Sequence, residues 1–150
     1  MNLSKHFTLK EMTMSTTAMR LGIDNTPSAE SIQSMSLLAD RVLEPVREYI
    51  GEPIKISSGY RSPELNKKVG GSKTSQHCLG EAADIVCQNK NSEMFYFIKN
   101  NLEFDQLIWE FGDEQEPDWV HVSYRGNRMR GQVLVASKKN GKTVYEEYVG

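Results

Sequence analysis

Ser75-Gln76-His77-Cys78-Leu79-Gly80-Glu81-Ala82-Ala83-Asp84-Ile85-Val86-Cys87 is the stretch on which the reading of this chain turns. A polar loop ends at His77, and Gly80 allows a sharp turn. Ala82 to Cys87 then reads as a buried strand, with Ala82, Asp84 and Val86 on one face and Ala83, Ile85 and Cys87 on the other. A charged Asp in the middle of an apolar strand is costly unless it is paired or bound to a metal. A second apolar strand, Trp119 to Tyr124, is interrupted in the same way by His121. Two ionisable groups in two buried strands point to one shared site. The residues alone leave another account open. In it His77 is an exposed loop residue, Asp84 a capped polar group in the core, and His121 a hydrogen-bonded core histidine.

Around this stretch the chain alternates helical and extended patterns. The first 25 residues, with Leu9, Met12, Met14, Ala18, Met19 and Leu21, predict one or two short helices covering one side of the core. Thr26-Pro27 predicts a helix start. Ile32, Met35, Leu38, Ala39, Val42, Val46 and Tyr49 continue as one amphipathic stripe. Pro45 should kink this helix, and Gly51 should close it. Ile54 to Ser57 reads as a strand. Ser58 to Leu79 is a long polar connection with one helical turn from Pro63 to Val69, and long loops in compact domains are usually functional or disordered. Ser92 to Asn100 reads as a helix. Gln106 to Glu110, Gln132 to Ala136 and Thr143 to Tyr148 read as further strands, with Asn140-Gly141 as a two-residue hairpin turn. Helices first and mostly antiparallel strands later predict a single α+β domain over residues 1–150, with N-terminal helices packed on a small sheet.

Composition narrows the function classes. The net charge is −2, with 38% hydrophobic and 25% charged residues, as in an ordinary globular protein. The one basic cluster is Arg125, Arg128 and Arg130 followed by Lys138 and Lys139. It has no aromatic stacking platform and reads as a solvated loop and hairpin, so no nucleic-acid partner is expected. No apolar run approaches ~18 residues, so no membrane insertion is expected. Met1 to Arg20 lacks a basic start followed by an apolar block, which predicts a chain that is cytoplasmic on synthesis. Cys78 and Cys87 have neither CxxC nor zinc-finger spacing and fit free thiols. Cys78, beside His77, is a rival metal ligand. His6 reads as a surface residue, and Tyr60, Trp109 and Trp119 as core.

Ser75 to Asp84 resembles the SxHxxGxAxD motif of the M15 peptidases, the family of zinc D-Ala-D-Ala carboxypeptidases and endolysins, with every fixed position matched. Asp118-Trp119-Val120-His121 is similar to the family's second motif, a carboxylate three residues before the last zinc histidine. Ser58-Gly59-Tyr60-Arg61 is similar to its upstream Ser-Gly-Tyr-Arg segment. The three segments occur in the family's order, and the flanking elements resemble the short phage and prophage members. The fold so implied is shared with the signalling domain of hedgehog proteins.

The resemblance implies one Zn²⁺ per chain, held by His77, Asp84 and His121, which would lower the pKa of a bound water toward about 7. Asp118 would be the general base. Positions 118 and 121 point to opposite faces of an ideal strand, so Asp118 would have to lie in the turn before it, fixed by Pro117. Glu116 is the reserve candidate. Arg61 would face the scissile carbonyl oxygen or a substrate carboxylate. Ser75 would support the loop or contact substrate. The implied substrate is the peptide stem of bacterial peptidoglycan, cut by a monomeric endolysin acting on the wall after release. Two alternatives remain: a D-Ala-D-Ala carboxypeptidase, and a non-catalytic zinc-bearing module of the same fold.

Overall fold

The computed structural model describes residues 1–150. Two short helices open the chain, α1 (Leu9–Thr13) and α2 (Thr16–Leu21). Each is capped as its sequence allows: Thr8 and Glu11 form a capping box, and the Ser15 hydroxyl accepts from Ala18 N–H. The long amphipathic segment follows as α3 (Ala29–Leu38), a π-helical stretch (Ala39–Leu43) and α4 (Glu44–Ile50). Its cap is Ser28, whose hydroxyl accepts from Ser31 N–H at 3.1 Å. Thr26, expected to cap, instead donates its N–H to Asp24. Pro45 acts as its chemistry requires. It offers no N–H, and the helix widens just before it, with Glu44 N–H reaching back to Ala39 C=O. Gly51 ends the segment at φ 79°.

The six strands are β1 (Lys55–Ser58), β2 (Ala82–Val86), β3 (Gln106–Glu110), β4 (Trp119–Ser123), β5 (Gln132–Lys139) and β6 (Lys142–Glu147). They form one sheet in the order β1-β2-β4-β3-β5-β6. All neighbours are antiparallel except β3 and β5, which run parallel. Helix α5 (Pro63–Lys68) and a 3₁₀ turn (Gln76–Leu79) lie in the long connection between β1 and β2. Helix α6 (Asn91–Asn101) joins β2 to β3. The expected α+β architecture is therefore present.

Strand alternation gives this sheet two unlike faces. Ala83, Ile85, Leu107, Trp109, Val120 and Val122 join Met35, Leu38, Val42, Phe95 and Ile98 in the main core, under the helices. The opposite face carries Asp84, His121, Ile108 and Glu110, with a small apolar cluster of Ile108, Leu134 and Ala136. The helices bury one side, and the polar groups of interest are displayed on the other.

One member of the basic cluster departs from the solvated reading. Arg125 and Arg128 are exposed. Arg130, however, binds Asp105 with its backbone N–H, Nε and one terminal nitrogen, at 2.8 to 3.1 Å. Asp105 is 0% exposed and can stay charged only if such donors surround it. Arg130→Ala should lower stability by about 2 kcal/mol, the scale of charge-assisted hydrogen bonds, whereas Arg128→Ala should leave it within about 0.5 kcal/mol. Urea unfolding of both variants checks this.

Candidate metal centre

Asp84 and His121 are directly paired across β2 and β4, so their side chains rise from the same face. His121 Nδ1 lies 3.0 Å from Asp84 Oδ1. His77 arrives from the 3₁₀ turn and brings Nε2 to 3.5 Å from the same oxygen. One ligand atom from each of the three lies within 4.8 Å of the others. Burial on its own would raise the Asp84 carboxyl, but the charge of His77 and the hydrogen bond from His121 overturn that and hold it well below the usual carboxylate range.

The loop motifs position His77. Ser75 caps the 3₁₀ turn, its hydroxyl accepting from His77 N–H at 3.2 Å. Gly80 closes the turn at φ 75°, and a methyl there would also collide with the Ser31 carbonyl, so only glycine fits. His77 Nδ1 bonds the Gly59 carbonyl at 2.7 Å. Nδ1 must therefore carry a proton, and Nε2 is the nitrogen that faces Asp84 and is placed to bind a metal. Gly59 is itself pressed against the backbone of α1, where a methyl would strike Met12 C=O. Tyr60 N–H donates to Met12 C=O, and Arg61 N–H donates to His77 C=O at 3.1 Å. The Ser58-Gly59-Tyr60-Arg61 segment thus ties α1, β1 and the 3₁₀ turn together. Two imidazoles and a carboxylate, one imidazole oriented by a backbone carbonyl, fit a three-ligand zinc site with an open position. Cys78 is absent from the convergent set.

A cleft of about 730 Å³ adjoins the triad. Its walls include Lys10, Lys55, Gly59, Tyr60, Arg61 and Asp84. Arg61 Nε is buried there without a hydrogen-bond partner.

Asp118 does not join this group. It lies exposed at the bend just before β4, after the buried Pro117, where its N–H donates to Glu110 C=O, one residue out of the β3–β4 register. Glu116 is engaged elsewhere, accepting from Ser92 N–H at the start of α6. The carboxylate that does share the triad face is Glu110, a residue the sequence reading passed over. Glu110 pairs with Trp119, and Ile108 with His121, along β3 and β4. Glu110 is 7% exposed and has neither a hydrogen bond nor an ion pair through its side chain. Burial chiefly, and the negative charge of Asp84 next, push its carboxyl up to about 7, against the opposing charge of His121. Trp119 stands on this face as well, its ring against Phe111, while Tyr60 and Trp109 are in the main core. His6 pairs with Glu44 at the surface.

The α+β sheet thus carries helices on one face and, on the other, a His, Asp, His triad that could hold a metal ion. Residues 5–123 match the family model described as Peptidase M15, and the chain belongs to that family. It is also 36% identical over 59 residues to a zinc D-Ala-D-Ala carboxypeptidase of Streptomyces albus G. That match takes in 39% of this chain and 23% of the relative's length.

The raised Glu110 carboxyl has a consequence for stability in the metal-free protein. Its folded pKa of about 7 exceeds the ordinary value of 4.5, so the fold favours the protonated form. The cost is absent below pH 4.5, grows through the interval between the two values, and is complete above pH 7. Glu110→Gln mimics the protonated state. Its melting temperature without metal should exceed that of wild type at pH 8, and the two should converge near pH 4. Calorimetry across that range checks this.

Proposed function

We propose that this protein is a zinc peptidase that hydrolyses an amide bond in the peptide stem of bacterial peptidoglycan, as an endopeptidase of the endolysin type. The observation that carries the proposal is the convergence of His77, Asp84 and His121 beside a cleft into which Arg61 brings an unpartnered donor. Membership of the M15 peptidases and the wall-directed name of the Streptomyces relative support it. A purely structural zinc site needs neither a free guanidinium nor a free buried carboxylate nearby, and this site has both.

His77, Asp84 and His121 would hold the zinc, which when bound supplies a Lewis acid for water and the scissile carbonyl. Arg61 lies where its fixed charge can meet the oxygen that becomes negative as the carbonyl carbon turns tetrahedral. Glu110 is the general base of this proposal, with Asp118, at the bend before β4, as the alternative. The Glu110 carboxylate takes one proton from the attacking water and passes it to the leaving nitrogen. The water oxygen bonds to the carbonyl carbon, the C–N bond breaks, and Glu110 is ionised again; the products are a carboxylic acid and an amine, and the water's second proton then passes from the acid to the amine to leave a carboxylate and an ammonium group.

One specific observation favours a second reading, removal of a terminal D-Ala, because the Streptomyces relative is named as a carboxypeptidase. Mass spectrometry of muropeptides after digestion separates the two. An internal cut yields new free amines within the stem, whereas the second reading yields stems shortened by one alanine. New reducing sugar ends alone would mean a glycosidase and would sink the peptidase proposal.

Two substitution tests follow. His121→Ala should lose bound zinc, about one equivalent in wild type, together with activity. Glu110→Gln should keep the zinc and lose turnover by roughly 10² to 10⁴, while Asp118→Asn keeps both near wild type. A large rate loss in Asp118→Asn with Glu110→Gln unaffected would return the base to Asp118.

A further inference from the structure

The sheet continues past the stretch that matches the family. Strands β5 and β6 form a hairpin beyond residue 123, closed by Asn140 and Gly141 at φ 53° and 77°. Their register extends one cross-strand row across four strands: Trp119 pairs with Glu110, Glu110 with Ala136, and Ala136 with Tyr145. Residues in one such row share a face. Tyr145 therefore stands on the triad face, separated from Glu110 only by the small side chain of Ala136, which is 1% exposed beneath its neighbours. The next row toward the triad carries Ile108 and Leu134 beside His121, and these two form a small apolar cluster with Ala136.

Three features describe the phenol itself. It makes no hydrogen bond within the chain, and its residue is 54% exposed, so it is open to a ligand. Partial burial, then the charges of Glu110 and Asp84, push its pKa up, with Arg61 opposing. Those three residues are thus within electrostatic reach of one hydroxyl, although they come from β3, β2 and the loop after β1. A peptide group placed over the triad lies between Arg61 on the cleft side and Tyr145 on the hairpin side.

We propose that Tyr145 is a catalytic residue of this peptidase, donating its hydroxyl hydrogen to the carbonyl oxygen of the amide being cut. The proposal rests on the peptidase reading above. The proton stays on the tyrosine throughout: Tyr145 stabilises developing negative charge from the side opposite Arg61, and Glu110 alone carries protons. A neutral donor held in a partly dry site and aimed at a developing oxyanion acts on the transition state more than on the bound substrate. A ring that served only as a wall would act on binding instead.

The test uses the zinc-loaded full chain on purified cell wall, comparing wild type, Tyr145→Phe and Tyr145→Ala. Tyr145→Phe should lower kcat by roughly 10²-fold, the usual worth of one oxyanion donor. Its KM, zinc content and melting temperature should stay at wild-type values, as should co-sedimentation of the metal-free protein with the wall. Tyr145→Ala should show the same loss in kcat and an added rise in KM. A Tyr145→Phe enzyme with wild-type kcat would overturn the proposal and leave the ring as a wall only. Loss of zinc or of thermal stability in that variant would overturn it too, by making the hydroxyl structural. If wild type itself releases no amines from the wall, the peptidase reading falls, and this assignment falls with it.

Discussion

The Asp84 carboxylate sits in the middle of the sheet between two imidazoles, and much of the chain is arranged to keep it charged there. Burial opposes the charge, and His77 and His121 outweigh that opposition. His121 is supplied by the strand register, since Asp84 and His121 are opposite each other. His77 is harder to supply, because it comes from a loop. Its ring is oriented by the Gly59 carbonyl, its backbone by Ser75 and by Arg61 N–H, and Gly59 in turn by the close approach of α1. The N-terminal helices, the end of β1, the 3₁₀ turn and the β2–β4 ladder are thus linked through one buried charge. A shift in any of them would move a donor atom, and site geometry tolerates little displacement.

The sheet separates stability from chemistry by the parity of its strands. Odd positions in β2 and β3 and even positions in β4 face the helices and make the core, and the alternate positions face the site. The same rule puts Glu110, and with it Tyr145, on the side of the triad. Parity also shows how a short hairpin at the end of the chain can contribute to a site built by β2 and β4. Each added strand extends the row without disturbing the core beneath it.

Much of this was legible in the sequence. Helix and strand positions follow from apolar spacing and from Pro, Gly and Ser signals. The disturbance of the helix at Pro45, its end at Gly51 and the Asn140-Gly141 turn are local effects that a sequence states directly, although the π-helical form of that disturbance is not. Asp84 and His121 stood out as ionisable groups in apolar strands that demand partners, and the motif resemblance added His77 to them. What was not legible depended on register. Glu110 ends a strand, where an acidic residue is ordinarily solvated, and nothing local says that it faces His121's side of the sheet. Gln106, Ile108 and Glu110 alternate with Leu107 and Trp109, which hints that Glu110 shares a half-polar face, but the partner strand is needed to say which face. Arg130 was misread for a similar reason. Its partner Asp105 is 25 residues away, and an arginine among other arginines looks solvated until the buried carboxylate is seen. The helix start at Ser28 in place of Thr26 is a choice between two competent caps, decided by which hydroxyl reaches a free N–H.

The central claim is that His77, Asp84 and His121 hold one zinc ion at a site open to substrate. Anomalous scattering at the zinc edge from crystals of the zinc-loaded protein tests it most directly. The account predicts a single peak at about 2.0–2.2 Å from one nitrogen of each histidine and one oxygen of Asp84, the normal zinc distances, with no thiolate from Cys78 among the ligands. A peak elsewhere, a fourth protein ligand closing the coordination sphere, or no peak between these three side chains at saturating zinc would contradict it.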